Sequence, residues 1–423
     1  MSKLEKLIQQ YCPDGVEWKM FYDVCDLIRG ITYNKSQEAK TETEDAHKVL
    51  RANNITLYLN VLNFEDVKLV SKDVVVKPEQ HLYAGDILMC AGSGSKEHVG
   101  KVAFISENID YTFGGFMAVV RCKAGILPRY MFHILSSHYF SSHLDVQINS
   151  STINNINKQV MQSFAFPVPP LPVQEEIVRV LDAFTELQAE LQAELQKRKQ
   201  QYNFYRDNLL NFKNINRGGQ EIKWMKMSDV CNIKGRIGFR GYTRNDQVKR
   251  GEGALSLSPS NISNGKMDYS KGTYITWTKY DESPEIQTFN GDIIFCKTAS
   301  IGKVAFVTNL PCKATINPQL VVLKDIKCSA RFLSYFLETN YIQNIVMSLA
   351  GIGSVPNISQ KALSDILIPI PPLEEQNRIV SILDRFDTLT NDLTSGLPAE
   401  MEKRRQQYEF YRDKLLTFKR KEA

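Results

Sequence analysis

The chain has 423 residues, more than one hydrophobic core usually holds, so two or more domains are expected. Its contents of 43% hydrophobic and 23% charged residues are ordinary for a globular protein. The sequence has no run of 18 apolar residues, so we expect no membrane span. The net charge of +5 permits nucleic-acid binding without establishing it. The opening MSKLEKLIQQ lacks an apolar signal region, so we expect a cytoplasmic protein, and eight cysteines without a CxxC pair favour reduced thiols.

The N-terminal part of the chain predicts mixed α and β structure. An opening helix carries Leu4, Leu7 and Ile8. A further helix is predicted at 128–146, and a counterpart later in the chain at 330–349. Four apolar runs predict strands, at residues 55–61, 85–90, 101–105 and 116–122.

A long helix is predicted next. Apolar residues from Ile177 to Phe212 recur mostly every three, four or seven positions, and no Gly or Pro interrupts the stretch from Val173 to Arg217. About 40 residues at roughly 1.5 Å each give a rod of about 60 Å, which suits a coiled coil. The preceding PVPPLP, which ends at Pro172, is expected to be non-helical because of its prolines.

The chain then repeats itself. Residues 369–386 match 167–184 at 10 of 18 positions, and residues 403–418 match 197–212 at 12 of 16. The second helical segment differs by a break at Ser395–Pro398, where Pro398 suits the first turn of a restarted helix. Two such rods in one chain most simply pack antiparallel, with a globular domain at each end.

The globular parts of the two halves do not repeat in the same way. The 64 residues between Cys25 and Cys90 and the 64 between Cys231 and Cys296 have almost nothing in common. One fold that carries two unrelated surfaces is expected of a protein that reads two different targets.

Together these patterns predict an α+β protein. Two mixed α/β domains are joined by two long helices that pack as an antiparallel coiled coil, in a pseudo-two-fold tandem repeat. The predicted segments are a first domain at 1–166, a central helix at 167–216, a second domain at 217–368 and a C-terminal helix at 369–423.

The helical signatures resemble a known family. EEIVRVLDAFTELQAELQAELQKRKQQYNFYRDNLLNF and RIVSILDRFDTLT…KRRQQYEFYRDKLLTF resemble the conserved regions of Type I restriction–modification specificity subunits, as do the opening LEKLIQQYCPDGVEW and the PxPPL segments. The resemblance covers the whole chain in architecture and is specific in the helical quarter. It implies a non-catalytic subunit whose two target recognition domains each read one half of a bipartite, asymmetric DNA site.

The same resemblance implies the partners. The helices set the spacing and dock two modification (methyltransferase) subunits, and restriction subunits add ATP-driven translocation and cleavage. S-adenosylmethionine, ATP and Mg are then bound by those partner subunits, and this chain needs no cofactor. Thr185 to Gln196 reads TELQ-AELQ-AELQ, a repeat of four residues. Because one unit adds about 6 Å to a helix, we predict that the number of units sets the gap between the half-sites.

Catalytic alternatives fit the sequence poorly. The run Gly94 to Val102 has five residues between its glycines where a phosphate-binding loop has four. A methyltransferase motif is not matched, because Leu rather than Phe or Tyr follows each Pro-Pro pair. His133, His138 and His143 recur every five residues, which spreads them around a helix, so we expect surface or partly buried histidines rather than a metal site.

Basic and polar residues of the dissimilar regions are the candidate DNA contacts, because Arg and Lys bridge phosphates and Arg can fork onto guanine. A solvated basic loop is the alternative. The first-domain candidates are Arg29, Lys35, Ser93, Ser95, Lys96 and Lys101. The second-domain candidates are Arg236, Arg240, Tyr242, Arg244, Lys297, Ser300 and Lys303.

The near-identical YxFYRD blocks cannot encode two different targets. They either pack the rods together or form equivalent docking sites for two modification subunits, and the candidate partner-binding residues are Tyr202, Arg206, Tyr408 and Arg412. The alternative function is a coiled-coil DNA-binding adaptor or regulator that acts without a methyltransferase. A neighbouring gene with adenosylmethionine motifs would distinguish the two.

Overall fold

The protein is described from a computed structural model, which covers residues 2–39, 46–57, 60–148, 154–212, 222–235, 242–351, 356–391 and 396–422. The chain divides into two compact units. Unit 1 comprises Met1–Gln192 with Met401–Ala423, and unit 2 comprises Ala193–Glu400. We call the sheets and short helices of unit 1 the first lobe and those of unit 2 the second lobe. Throughout the described ranges, no helix is both long and apolar enough to cross a membrane.

The first lobe contains two four-stranded sheets. One is antiparallel, in the order Cys25–Arg29, Met117–Cys122, Ile87–Cys90, Val102–Phe104. The other runs in the order Lys68–Ser71, Ala46–Leu50, Ile109–Phe113, His81–Leu82, with its two central strands parallel. Two further strand pairs join Trp18–Met20 to Ala165–Pro167 and Gly92–Ser93 to Asn154–Asn155.

Helices cover one face of the first lobe. They are Lys3–Tyr11, Phe21–Val24, Pro128–Leu135, His138–Ile148 and Lys158–Gln162, with short 3₁₀ turns at Lys35–Gln37, Ala52–Asn54, Pro78–Gln80 and Lys96–His98. The opening helix begins at a capping box in which the Ser2 hydroxyl accepts from the Glu5 backbone and the Glu5 carboxylate accepts from the Ser2 backbone.

The second lobe repeats this plan with larger sheets. The first sheet has the order Asn232–Gly235, Leu320–Lys324, Ile293–Cys296, Val304–Phe306, Lys266–Met267, Ile262–Ser263, and the second Gln247–Val248, Thr273–Ile275, Ala254–Leu257, Ala314–Ile316, Gln287–Thr288. Lys223–Lys226 pairs with Leu367–Ile370. The helices are Met227–Val230, Trp277–Asp281, Ala330–Leu337, Asn340–Leu349 and Gln360–Ser364, with 3₁₀ turns at Arg244–Asp246, Pro259–Asn261 and Pro284–Ile286.

A fully buried central strand joins two cores in each lobe. Along Ile87–Cys90, alternate side chains face opposite sides, so Ile87 and Met89 pack with the helices while Leu88 and Cys90 pack against the second sheet. Ile293–Cys296 does the same in the second lobe. The predicted mixed α/β class is therefore confirmed for both lobes, and the eight cysteines are free thiols.

Three helices complete the described structure: Leu171–Leu209, Leu373–Asn391 and Gly396–Leu415. The first is one unbroken helix of 39 residues. The predicted restart near Pro398 is confirmed, since the last helix begins at Gly396. The helix that was predicted to reach Arg217 ends at Leu209, and residues 213–217 lie outside the described ranges.

Four other sequence predictions need correction. Pro172 lies inside the first turn of the long helix, where its missing N–H has no helical partner to lose. No strand is formed at 55–57, because Ala52–Asn54 is a 3₁₀ turn and Ile55 makes a single bridge; the rest of that run includes undescribed residues. The single helices predicted at 128–146 and 330–349 are each divided into two, Pro128–Leu135 with His138–Ile148 and Ala330–Leu337 with Asn340–Leu349. In the second lobe the break has a local cause, since Thr339 accepts from the Ile342 backbone and starts a new helix.

Candidate DNA interface

A cleft of about 620 Å³ opens in the first lobe between its two sheets. It is lined by Ile31–Tyr33, Arg51–Asn53, Gly92–Ser93 and Gly114–Met117. We call it the Phe116 cleft, after the lining residue Phe116, which is 73% exposed. Among the predicted DNA contacts, Ser93 lines this cleft.

Sequence reasoning missed the side chains that give the Phe116 cleft its chemistry. Arg51 follows a strand whose last two residues, Val49 and Leu50, are buried, and its Nη2 donates to the Asp66 carboxylate at 2.9 Å. Asn53 is exposed and donates to the same carboxylate at 2.9 Å. The Nε of Arg51 is buried and has no hydrogen-bond partner among the described residues. These residues escaped notice because they stand apart from any dense basic stretch.

The other first-lobe candidates lie in different settings. Arg29 is half-buried at the end of its strand and donates to the Asn155 side chain at 3.1 Å and to the Ile156 carbonyl. Burial lowers the pKa of its guanidinium. Lys35 and Ser95 are exposed on turns, and Lys96 pairs with Asp145 at 3.0 Å on the surface.

Lys101 is held inside the first lobe. It is 8% exposed, and its Nζ donates to the carbonyls of Ala52 and Ile55 at 2.8 Å each. Burial lowers the pKa of this ammonium group. The contacts tie Lys101 to the turn that carries Arg51 and Asn53 rather than to the solvent. Its counterpart in the second lobe, Lys303, is exposed.

The second-lobe candidates are only partly described. Arg236 and Arg240 lie outside the described residues. Arg244 is exposed on a 3₁₀ turn, and the Tyr242 hydroxyl accepts from Ser256 at 3.0 Å. Their role as DNA contacts stays a prediction.

The remaining second-lobe candidates follow the central strand. Lys297 and Ser300 are half-buried, with the Lys297 backbone bonded to Gln319 and Ile358. Lys303 lines a cavity of about 350 Å³ together with Arg206, Glu338 and Gln343. The structure thus brings a predicted DNA contact, Lys303, beside a predicted partner contact, Arg206.

The four predicted partner-binding residues are buried within their own units. Tyr408 and Arg412 in unit 1 and Tyr202 and Arg206 in unit 2 are each at most 8% exposed. Each arginine pairs with the aspartate that follows it at 3.0 Å and lies over the tyrosine ring four residues before it. Their docking role stays a prediction, and the contacts seen are internal.

In unit 1 the end of the last helix is held by a buried histidine. The His133 ring contacts the Asp182 carboxylate at 2.8 Å through Nε2 and the Tyr408 hydroxyl at 3.1 Å through Nδ1. Burial lowers the pKa of His133, and Asp182 opposes the shift. The expectation of a surface or partly buried histidine was wrong here, because His133 is fully buried.

Unit 2 places different groups at the matching positions. The Tyr335 hydroxyl donates to Asp384 at 2.6 Å, and the Arg331 Nε donates to the same carboxylate at 2.9 Å. Burial raises the pKa of Glu338 to about 7, although Arg206 and Arg331 act in the opposite direction.

Other members of the YxFYRD blocks face outward. Phe204 is 64% exposed and Phe410 is 63% exposed, and each ring packs edge-on against the following tyrosine. Tyr205 stacks on Phe386, and Tyr411 stacks on Phe184. Each unit therefore presents an aromatic patch of nearly the same composition. Across the part of the chain that is described, no group of three or more His, Cys, Asp or Glu residues could hold a metal ion.

Comparison with known proteins identifies the family. The family model of the Type I restriction modification DNA specificity domain matches residues 13–198 and again 219–403. The specificity subunit of the Type I restriction enzyme EcoR124I/EcoR124II from Escherichia coli is 34% identical over 260 residues, which span 61% of this chain and 62% of that protein. A putative Type I restriction enzyme specificity subunit from Haemophilus influenzae is 27% identical over 437 residues and covers 98% of both chains.

A solved structure has a similar fold. It comes from work on complex assembly and conformational transition of the Type I restriction–modification system, with a TM-score of 0.59 at 15% identity, and covers 96% of this chain and 98% of that one. The family model matches both halves and most of the sequence. The chain therefore belongs to the family of DNA specificity subunits of Type I restriction–modification systems.

Proposed function

We propose that each lobe reads one half of a bipartite, asymmetric DNA site. The observation that carries this proposal is the contrast between scaffold and surface. Both lobes place a fully buried central strand between helices and a second sheet. The loops that follow that strand differ, with exposed Ser95 and Lys96 in the first lobe and half-buried Lys297 and Ser300 in the second, as two different half-sites require.

The proposed DNA contacts are the candidates from the sequence together with the residues of the Phe116 cleft, except that buried Lys101 would act through the turn it holds. Phosphate contacts fix the register of a protein on DNA, whereas contacts to base edges select the sequence. Exposed cations such as Lys35, Lys96 and Arg244 suit the first task. The proposed domain limits are those from the sequence: recognition domains at 1–166 and 217–368, with conserved helices at 167–216 and 369–423.

The long helices are proposed to pair as an antiparallel coiled coil with pseudo-two-fold character and to set the distance between the half-sites. Two stacked contacts, each within its own unit, support this pairing. Phe184 stacks on Tyr411, and Tyr205 stacks on Phe386. Along the first helix the residue number rises from 184 to 205, while the contacted residue falls from 411 to 386, as antiparallel pairing requires.

The exposed aromatic patches are proposed to dock two modification subunits. One patch consists of Phe410, Tyr411 and Phe184, and the other of Phe204, Tyr205 and Phe386. Two nearly identical patches, in two units whose lobes otherwise differ, fit two copies of one partner. Exposed aromatic residues are frequent anchors of protein interfaces.

The chemistry is proposed to belong to partner subunits. A modification subunit would bind S-adenosylmethionine and methylate adenine N6, and restriction subunits would use ATP and Mg for translocation and cleavage. This chain would act without a cofactor, in the cytoplasm, as the part that selects the DNA.

Co-expression with the neighbouring modification subunit tests the proposal. Mapping N6-methyladenine on the host genome by single-molecule sequencing should give one split, asymmetric motif that is lost when this chain is omitted. A stable complex whose methylation does not depend on this chain would instead support a DNA-binding adaptor or regulator.

A further inference from the structure

Both lobes contain the same turn, anchored by a buried asparagine. The turn lies at Leu50–Thr56 in the first lobe and at Leu257–Ser263 in the second, where a Leu-x-x-x-Asn-Ile-Thr/Ser motif recurs 207 residues apart. Asn54 Oδ1 accepts from the Arg51 backbone at 2.8 Å, and Asn261 Oδ1 accepts from the Ser258 backbone at 2.9 Å.

The amide nitrogens of these asparagines complete the anchor. Asn54 Nδ2 donates to the carbonyls of Asn63 and Asp66 at 2.8 and 3.1 Å. Asn261 Nδ2 donates to those of Asp268 and Lys271 at 2.9 and 2.6 Å. Asn54 and Asn261 are 0% and 1% exposed. The turn is thus fixed from inside in the same way in both lobes.

A second loop lies against this turn in each lobe. The strand that ends at Leu50 pairs in parallel with Ile109–Phe113, and the one that ends at Leu257 pairs in parallel with Ala314–Ile316. The next backbone N–H in each case, from Gly114 or Asn317, donates to the leucine carbonyl at 3.0 or 2.8 Å. The loops then continue as Gly-Gly-Phe116 in one lobe and Asn-Pro-Gln319 in the other.

The outer positions of these two matched loops carry different side chains. Arg51 corresponds to Ser258, Asn53 to Ser260, and Phe116 to Gln319. We infer that these positions are the specificity-determining contacts of each lobe, and that the Phe116 cleft seats the edges of consecutive bases in the major groove. This inference rests on the proposed function, in which each lobe reads one half-site.

The side chains on the cleft suit base edges. A guanidinium forks onto O6 and N7 of guanine, an asparagine amide pairs with adenine, and a phenylalanine packs on the thymine methyl group. The Arg51 guanidinium pairs through Nη2 with the carboxylate of Asp66, whose side chain is 73% exposed. Such a surface pair contributes little on its own, so the fork can turn to a guanine.

Lys101 acts in this scheme as a positioning residue. Its ammonium group bridges the carbonyls of Ala52 and Ile55 on either side of Asn53 and Asn54. It therefore holds the turn that presents Arg51 and Asn53 and reaches DNA through them, not directly.

The test uses the complex of the full chain with its modification subunit and maps methylated adenines by single-molecule sequencing. The double variant R51S/N53S installs the second-lobe residues on the first-lobe turn, and F116Q does so on the facing loop. Methylation of sites with one altered base in the first half-site should rise about tenfold or more relative to the original site, the range that a lost bidentate contact gives. The second half-site should stay unchanged. Lys77→Ser removes an exposed cation outside the cleft and should leave both half-sites intact.

Arg51→Lys separates base reading from phosphate binding. Lysine keeps the charge but loses the planar fork, so base discrimination should fall as it does in R51S/N53S. Unchanged first half-sites in both R51S/N53S and F116Q, with normal methylation by the parent complex, would overturn the inference and leave the proposed function standing. If the double variant does not assemble, F116Q alone decides, because Phe116 is 73% exposed. Failure of the parent chain to direct methylation would overturn the proposed function itself.

Discussion

In unit 1 the carboxylate of Asp182 binds Arg129 at 2.9 Å and the buried ring of His133 at 2.8 Å. In unit 2 the matching carboxylate of Asp384 binds Arg331 at 2.9 Å, but a tyrosine hydroxyl takes the place of the histidine. The helix ends that meet these sites, with their Tyr-x-x-x-Arg-Asp sequence, keep the same internal contacts in both units.

This comparison separates two kinds of selection on one fold. The YxFYRD blocks contain buried Arg–Asp pairs and carry similar aromatic patches on their surfaces, which fits the proposed contact with two copies of one partner. The lobes keep only the anchors of their turns, such as Asn54 and Asn261, and change what those turns expose. Substitutions at matching positions of the two units test this difference.

The largest effect is expected from the AELQ repeat in the long helix, which both units share. Removing one AELQ unit shortens the helix by about 6 Å, close to two base-pair steps, so methylation at the original motif should be lost and a motif with a shorter spacer should appear. Genome-wide methyladenine mapping measures this. A variant in which the four residues are permuted keeps the helix length and should keep the spacer. An unchanged spacer after the deletion would show that the repeat does not set the distance between the half-sites.

The buried asparagines should be next in effect. Asn54→Ala removes the three hydrogen bonds that this side chain makes to the Arg51 N–H and to the carbonyls of Asn63 and Asp66, so the free energy of unfolding should fall by about 2–4 kcal/mol. Asn261→Ala should cost a similar amount if the two turns are one device.

Chemical denaturation and hydrogen exchange at the two turns measure this effect. Asn245→Ala, at an exposed asparagine, should change stability by no more than about 0.5 kcal/mol. A large loss for one asparagine and none for the other would show that the turns are not equivalent.

These turns also mark what sequence reasoning could reach. The repeated blocks, the long helix and the central strands followed from identity and apolar periodicity, because those signals are local. The motif around Asn54 and Asn261 lies within regions that otherwise differ, so a comparison of the two halves does not predict the shared turn. The burial of His133 and Arg206 depends on helices far along the chain, which no local pattern reports.

The pH response should differ between the units. Burial raises the pKa of Glu338 to about 7, so the folded state favours its neutral form. Its contribution to stability is then full below its ordinary pKa of 4.5 and is lost as the pH rises through about 7. His133 has the opposite sign, because its lowered pKa withdraws stability as the pH falls below its ordinary value of 6.5.

The free energy of unfolding of the parent should therefore fall between pH 5 and pH 8 by on the order of 1–3 kcal/mol more than that of the Glu338→Gln variant. Denaturation at a series of pH values measures the slope. Ser136 holds the matching position in unit 1, and Ser136→Ala should leave the slope between pH 5 and 8 as it was. An identical slope in the parent and the Gln variant would mean that Glu338 titrates at its ordinary pKa.

The smallest effect is expected at the exposed aromatic patches. Phe204→Ala or Phe410→Ala should weaken binding of one modification subunit by about 1–2 kcal/mol, or roughly 5- to 30-fold. The fold should be unaffected, since these rings are 64% and 63% exposed.

Light scattering at limiting concentration should then show a complex with one modification subunit instead of two in either single variant, and with none in the double variant. Phe289→Ala, at a ring that is 54% exposed in the second lobe, is the matched control and should keep both subunits bound. If only one of the two substitutions weakened binding, the two patches would share a composition but not a function. Their similarity would then not support two identical docking sites.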